Sequence, residues 1–262
     1  MSNTTPGKSI IQRHGAIALI MSLGLLVAVC HAAPTTQESQ QVTSTSIASE
    51  TLSTRQQAIV PIAAFAAKGD LARLNGALNQ GLDAGLTVTD VREVLVQLYA
   101  YAGFPRSLNA LGELMKVLET RRQRGVEDAP GHAPSRPIPT GDALLSAGTA
   151  NQTKLAGGAV KGPLFDFAPA IDEYLKTHLF GDIFERDNLD WQSREIATVA
   201  MLAAMPGVEP QLQAHMRISM NVGLTESQLR QLGQVLADRV DADSATRAHD
   251  ALEKQVAAKH ER

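Results

Sequence analysis

The chain has 262 residues, 44% hydrophobic, 19% charged and 4% aromatic, a globular composition that excludes a wholly disordered or fibrous protein. With 24 Lys and Arg against 27 Asp and Glu, the net charge of -3 leaves no basic footprint for nucleic acid. A single cysteine excludes a disulfide framework and a thiolate cluster. Residues 1–33 read as a secretory signal peptide. Lys8, Arg13 and His14 precede an apolar run, residues 15–29, that is short for a membrane span of about 20 residues, and small residues follow it at a cleavage site near Ala32 and Ala33. Cleavage removes Cys30, Lys8 and Arg13 but no acid, so the expected mature chain is periplasmic or secreted, has no thiol and carries a charge of -5. An uncleaved anchor is the alternative reading. Residues 34–51, rich in Thr, Ser and Gln, are expected to form a flexible mature N-terminus.

From there the helical period dominates. Residues 52–124 read as a first helical unit. Ala58, Ile59, Ile62, Ala63, Phe65 and Ala66 share one apolar face, Leu71, Leu74, Leu78 and Leu82 a second, and Val91, Val94, Leu95 and Leu98 a third. Gly103 can stop that last helix and Pro105 can start another, running to about Arg122. Residues 125–163 hold seven Gly and five Pro, a composition that reads as an exposed, mobile crossover. Residues 164–240 form a second helical unit, and residues 241–262 a charged C-terminal helix or tail. No segment alternates like a strand, so the expected fold is all-α.

The two units repeat one another. Residues 52–87 align with residues 189–225 with one residue inserted. Gly85-Leu86-Thr87 matches Gly223-Leu224-Thr225, where glycine can end one helix and threonine cap the next. Thr87 with Asp90, and Thr225 with Gln228, have capping-box spacing. A repeat of this kind implies two copies of one helical unit.

The residues that carry this repeat resemble a known family. The run FAPAIDEYLKTHLFGDIFERDNLDWQSREIATVAMLAAM with LQAHMRISMNVGLT, and in copy one AIVPIAAFAAKGD with REVLVQLYAYAGFP, resemble the carboxymuconolactone decarboxylase family of the alkylhydroperoxidase D-like superfamily. The resemblance covers residues 52–122 and 164–240. It implies one of two chemistries. One branch is a cofactor-free lactone decarboxylase. The other uses Cys-x-x-Cys-x-x-x-His on a helix, with a Glu on the helix before. His215 takes the family's His position, eight residues before Gly223, and Glu195 the Glu position. Val208 and Gln211 occupy the cysteine positions, and Asp70, Arg73 and Ala77 the matching places in copy one. A peroxiredoxin-type activity is thus implied by the superfamily and opposed by the missing thiols. The family's trimers and hexamers imply that a two-unit chain trimerises.

His215 and Glu195 are therefore the candidate catalytic residues. Histidine exchanges a proton near neutral pH, and a carboxylate beside it fixes its tautomer. Arg194 is a candidate to hold a substrate carboxylate in a bidentate pair. Arg217 lies two positions from His215 and so points elsewhere. Tyr101, Phe104 and Asn109, at the helix junction of copy one, are candidate lining residues, and a composite site would join Tyr101 and Phe104 to Glu195 and His215. Each also has a plainer reading as core, cap or solvated surface. His178 has no partner at ligand spacing, so no metal site is expected, and no glycine-rich loop suggests a nucleotide or other cofactor. The expected partner is a small carboxylated molecule, with no nucleic acid and no stable membrane insertion after cleavage. A binder or scaffold without catalysis is the competing function.

Overall fold

A computed structural model describes residues 50–260; the expected signal peptide and its cleavage site lie outside them. The described residues are helical with no strand, as the periodicity predicts. The first unit consists of α1 (Thr54–Lys68), α2 (Leu71–Asp83), α3 (Val88–Gln97) and α4 (Tyr99–Gln123). The crossover holds α5 (Asp142–Ala156), and the second unit opens with α6 (Pro163–Phe167), α7 (Pro169–Tyr174) and a π-helical segment, Leu175–Ile183. The second unit runs through α8 (Trp191–Ala203), α9 (Glu209–Asn221), α10 (Glu226–Arg239) and α11 (Ala242–His260).

The repeat is now visible helix by helix. Both expected capping boxes form, on Thr87 with Asp90 and on Thr225 with Gln228. Gly85 and Gly223 take φ of 89° and 96°, the left-handed conformation that glycine adopts without a Cβ penalty. Gly103, at φ 81°, breaks α4 just before Pro105, so that helix is two pieces joined at a kink. The C-terminal stretch is a docked helix, not a tail: α11 buries Ala248, Ala251 and Leu252 and takes the place in copy two that α4 holds in copy one.

α1 and α8 pack on each other at the centre. Every residue from Ala58 to Ala67 is buried, as is every residue from Ser193 to Ala203, so neither helix keeps a solvent face. Each fully buried leucine or isoleucine there contributes roughly 1.5–3 kcal/mol. The two units also clasp one another reciprocally. Glu93 on α3 accepts from Asn188 just before α8, while Gln231 on α10 accepts from the Leu52 amide just before α1.

Most of residues 125–163 are exposed, and the crossover also carries a helix, α5, which buries Gly148, Gln152 and Leu155. The backbone amides of Val88 and Thr89 donate to the carbonyls of Ala129 and Pro130, which ties the first part of the crossover to the start of α3. Beyond it, α5 buries Leu155 in a second apolar cluster with Leu179, Phe180, Ile183, Phe184 and Ile218. Composition misleads here because two of its glycines, Gly131 and Gly148, serve close packing. A Cβ on Gly148 would overlap the carbonyl oxygen of Lys176 and come within 2.9 Å of the Gly181 nitrogen. Gly148→Ala is therefore expected to push α5 off the π-helical segment, exposing the crossover to limited proteolysis and lowering the melting temperature. Gly112→Ala on α4 is the control, because a Cβ there meets nothing within 4 Å. It should be neutral or stabilising by up to about 1 kcal/mol. Equal protease resistance in Gly148→Ala and the parent would refute the packing argument.

Candidate functional site

α8 begins with Asp190 as N-cap, its carboxylate accepting from the Ser193 amide at 2.8 Å. One turn later the helix turns Glu195 inward, where it is completely buried. The pairing helix α9 starts at Glu209 and carries His215 at its middle, 7% exposed. The two side chains meet: His215 Nδ1–H donates to Glu195 Oε2 at 2.8 Å. That bond leaves Nε2 as the nitrogen free to exchange a proton. From the first unit, Tyr101 brings its ring edge-on to the imidazole, with centroids 5.5 Å apart and planes at 80°. The site is thus composite, two side chains from copy two and one from copy one.

Its polar atoms are under-satisfied. Glu195 Oε1, the Tyr101 hydroxyl and the Ser219 hydroxyl are buried and make no well-formed hydrogen bond among the described residues, although Tyr101 lies near Thr198. Ser219 stands one turn beyond His215 on the buried side of α9. Each such atom costs roughly 1–3 kcal/mol relative to a paired one. An ion pair kept only for stability would have both carboxylate oxygens engaged. Burial, reinforced by the Glu195 charge, pushes the Tyr101 phenol well above its usual pKa, so it stays a neutral donor. The crossover roofs this region: Tyr99, Tyr101 and Trp191 pack against the α5 cluster, and Asn221 on α9 donates to the Leu155 carbonyl at 2.9 Å.

Arg194 does not serve as expected. Its side chain is fully buried and engaged inside the protein, so it is not offered to a substrate carboxylate. One guanidinium nitrogen donates to Glu93 at 3.1 Å and to the Arg186 carbonyl at 2.8 Å; the other donates to Gln97 at 3.3 Å. Arg186 grips the same Glu93 through two bonds of 2.8 and 2.6 Å. Burial opposes ionisation of Glu93, but the Arg186 hydrogen bonds and the Arg194 charge outweigh it and hold the pKa at about 2. The two units are therefore locked by a buried ion-pair network beside the site. Gln97 extends it, donating to the Arg194 carbonyl and to Thr198.

The remaining expected residues lie apart from the pair. Phe104 is 62% exposed and stacks on Tyr99 at 4.7 Å, because the Gly103 kink swings it outward. Asn109 and Arg217 are exposed on helix surfaces. His178 is exposed, 3.2 Å from Asp182 and with its ring 5.7 Å from that of Tyr174. Among the described residues no three His, Cys, Asp or Glu side chains cluster as metal ligands. Sequence reasoning missed Ser219, Gln97 and Glu93. The four-residue step from His215 could have found Ser219. Nothing local marks Glu93, which sits in an ordinary amphipathic turn.

A sequence model of the carboxymuconolactone decarboxylase family matches residues 38–115 and again residues 169–254. Together the two matches span more than half of the chain and fall on the two helical units. No curated protein matches it.

Proposed function

Since the chain belongs to the carboxymuconolactone decarboxylase family, we propose that its Glu195–His215 pair carries out cofactor-free proton transfer and decarboxylation on a small carboxylated, lactone-type substrate. The bond from the substrate carbon to its carboxylate breaks, carbon dioxide leaves, and the electron pair delocalises into the neighbouring carbonyl as an enolate. Imidazolium Nε2–H then delivers its proton to the carbon. His215 is left neutral, with Nδ1–H still on Glu195, and regains its proton from solvent. The Glu195 charge stabilises the imidazolium. We assign the buried hydroxyls of Tyr101 and Ser219, which have no partner among the described residues, as donors to the enolate oxygen. The carrying observation is the buried 2.8 Å contact whose second carboxylate oxygen has no partner.

The test is a panel of small carboxylated lactones incubated in deuterated water. Carbon dioxide release with deuterium appearing at the vacated carbon is expected. Tyr101→Phe should lower the rate while leaving the fold intact. Release of no carbon dioxide from any member would sink the reading. A second reading, a small-molecule binder that keeps the pair as core, is favoured by the 7% exposure of His215. It expects ligand-dependent stabilisation without turnover. Thiol-type peroxidase activity has no support from Val208, which caps α9, or from exposed Gln211.

We also place the active form as a trimer of two-unit chains. Phe104, Leu108 and Met115 leave an apolar stripe exposed on α4, and Leu164, Phe167 and Ile171 another on α6 and α7. Sedimentation of the chain at micromolar concentration should give three chains per particle. A monomer at that concentration would refute this.

A further inference from the structure

The repeat places a second, open groove where copy one answers to the Glu195–His215 site. In the alignment Ala58 stands for Glu195, Ala77 for His215 and Arg239 for Tyr101. The structure brings two of these counterparts, Ala77 and Arg239, together. A groove of about 420 Å³ is lined by Pro61, Phe65, Ala77, Gln80, Arg73 and Arg239, with Gly76 at its open edge. Pro61 is the counterpart of Thr198, which lies near Tyr101 in copy two. In copy two the corresponding space is filled by Tyr101 and roofed by the α5 cluster. α5 packs against α9. The groove in copy one stays open.

Its chemistry is distinct. The floor is apolar, from Phe65, Pro61 and Ala77, and no carboxylate lines it. Arg73 is committed, paired with Asp70 at 2.6 Å and lying over the Phe65 ring at 4.8 Å. Arg239 is not: among the described residues it bonds the neutral Gln80, at 2.7 Å, and forms no ion pair. The nearby Asp241 is taken by Lys68 at 3.0 Å. A half-buried guanidinium with no counter-charge, set above an apolar floor, is complementary to a small organic anion with an apolar body.

We propose that this groove is a binding site for a small aromatic or alicyclic monocarboxylate, with Arg239 holding the carboxylate and Phe65, Pro61 and Ala77 receiving the ring. Binding there proceeds without turnover, because alanines stand in both acid–base positions. The proposal is independent of the chemistry assigned to His215.

The probe is 4-fluorobenzoate, followed by fluorine NMR on the full chain. Saturable line broadening at millimolar probe is expected. Arg239→Gln should weaken binding by about tenfold to a hundredfold, the worth of a charge-assisted hydrogen bond. Gly76→Leu keeps Arg239 and fills the groove. A Cβ on Gly76 meets nothing within 4 Å, so the fold should tolerate it and binding should be lost. Unchanged thermal melting of both variants excludes unfolding as the cause. Arg239→Lys should recover part of the affinity. Absence of saturable broadening in the parent chain, or broadening in Arg239→Gln or Gly76→Leu equal to the parent's, would overturn the proposal. Turnover at the His215 site is measured separately on Arg239→Gln, so loss of one activity does not count as loss of the other.

Discussion

His215→Ala is expected to lower the decarboxylation rate by about 10²–10⁴-fold, the usual worth of general acid–base catalysis. The loss should fall mainly on kcat, because the proton is delivered in the transition state and not on binding. Glu195→Gln should lose less than His215→Ala. It keeps a partner for the imidazole at 2.8 Å but removes the charge that favours the imidazolium. Melting curves must accompany the kinetics, since both residues are buried. His215→Gln retains a polar side chain of similar reach and controls for packing. A His215→Ala variant that turns over the same substrate at the parent rate would reduce the pair to a structural feature. The binder reading would then lead.

Glu93→Gln should cost about 3–5 kcal/mol in urea unfolding, the penalty for stripping the counter-charge from a buried ion. Arg194 would remain fully buried with no carboxylate beside it. Replacing both partners by apolar residues, as in Glu93→Leu with Arg194→Met, should recover most of that loss, because the desolvation cost disappears with the charges. The pH profile gives a second readout. Glu93 falls from 4.5 to about 2 on folding, so its stabilisation is fully present above pH 4.5 and disappears as pH drops toward 2. The parent should therefore lose about 3 kcal/mol across that window, and Glu93→Gln much less. Parallel pH profiles for the two proteins would mean that the network carries no linked stability.

Much of the fold is legible from spacing alone. The caps at Thr87 and Thr225, the glycines before them and the stop at Gly103 are local signals, each set by one or two residues and their immediate backbone. The meeting of Glu195 and His215 was legible only through family resemblance. Two helices, each apolar on most sides, can be rotated many ways, and periodicity does not say which buried polar residue faces which. The helix α5 within the crossover is not legible for a related reason. Seven glycines and five prolines look like disorder in isolation, whereas Gly148 is what allows α5 to touch the Lys176 backbone. Arg194 was misread because a buried arginine is recognised by its partner, and Glu93 lies 101 residues away in the chain.

The sequence by itself determined the helical class, the duplication and the caps at Thr87 and Thr225, because those follow from periodicity and capping within a few residues. Only the tertiary structure decided which residues form the site. It joined Tyr101 of one copy to His215 of the other, withdrew Phe104 and Arg194, and left the alanine-substituted twin of that site open beside Arg239. The physical reason is that the two units share a helical pattern but differ where their site positions align: Glu195, His215 and Tyr101 are answered by Ala58, Ala77 and Arg239, and α5 packs against α9, which carries His215.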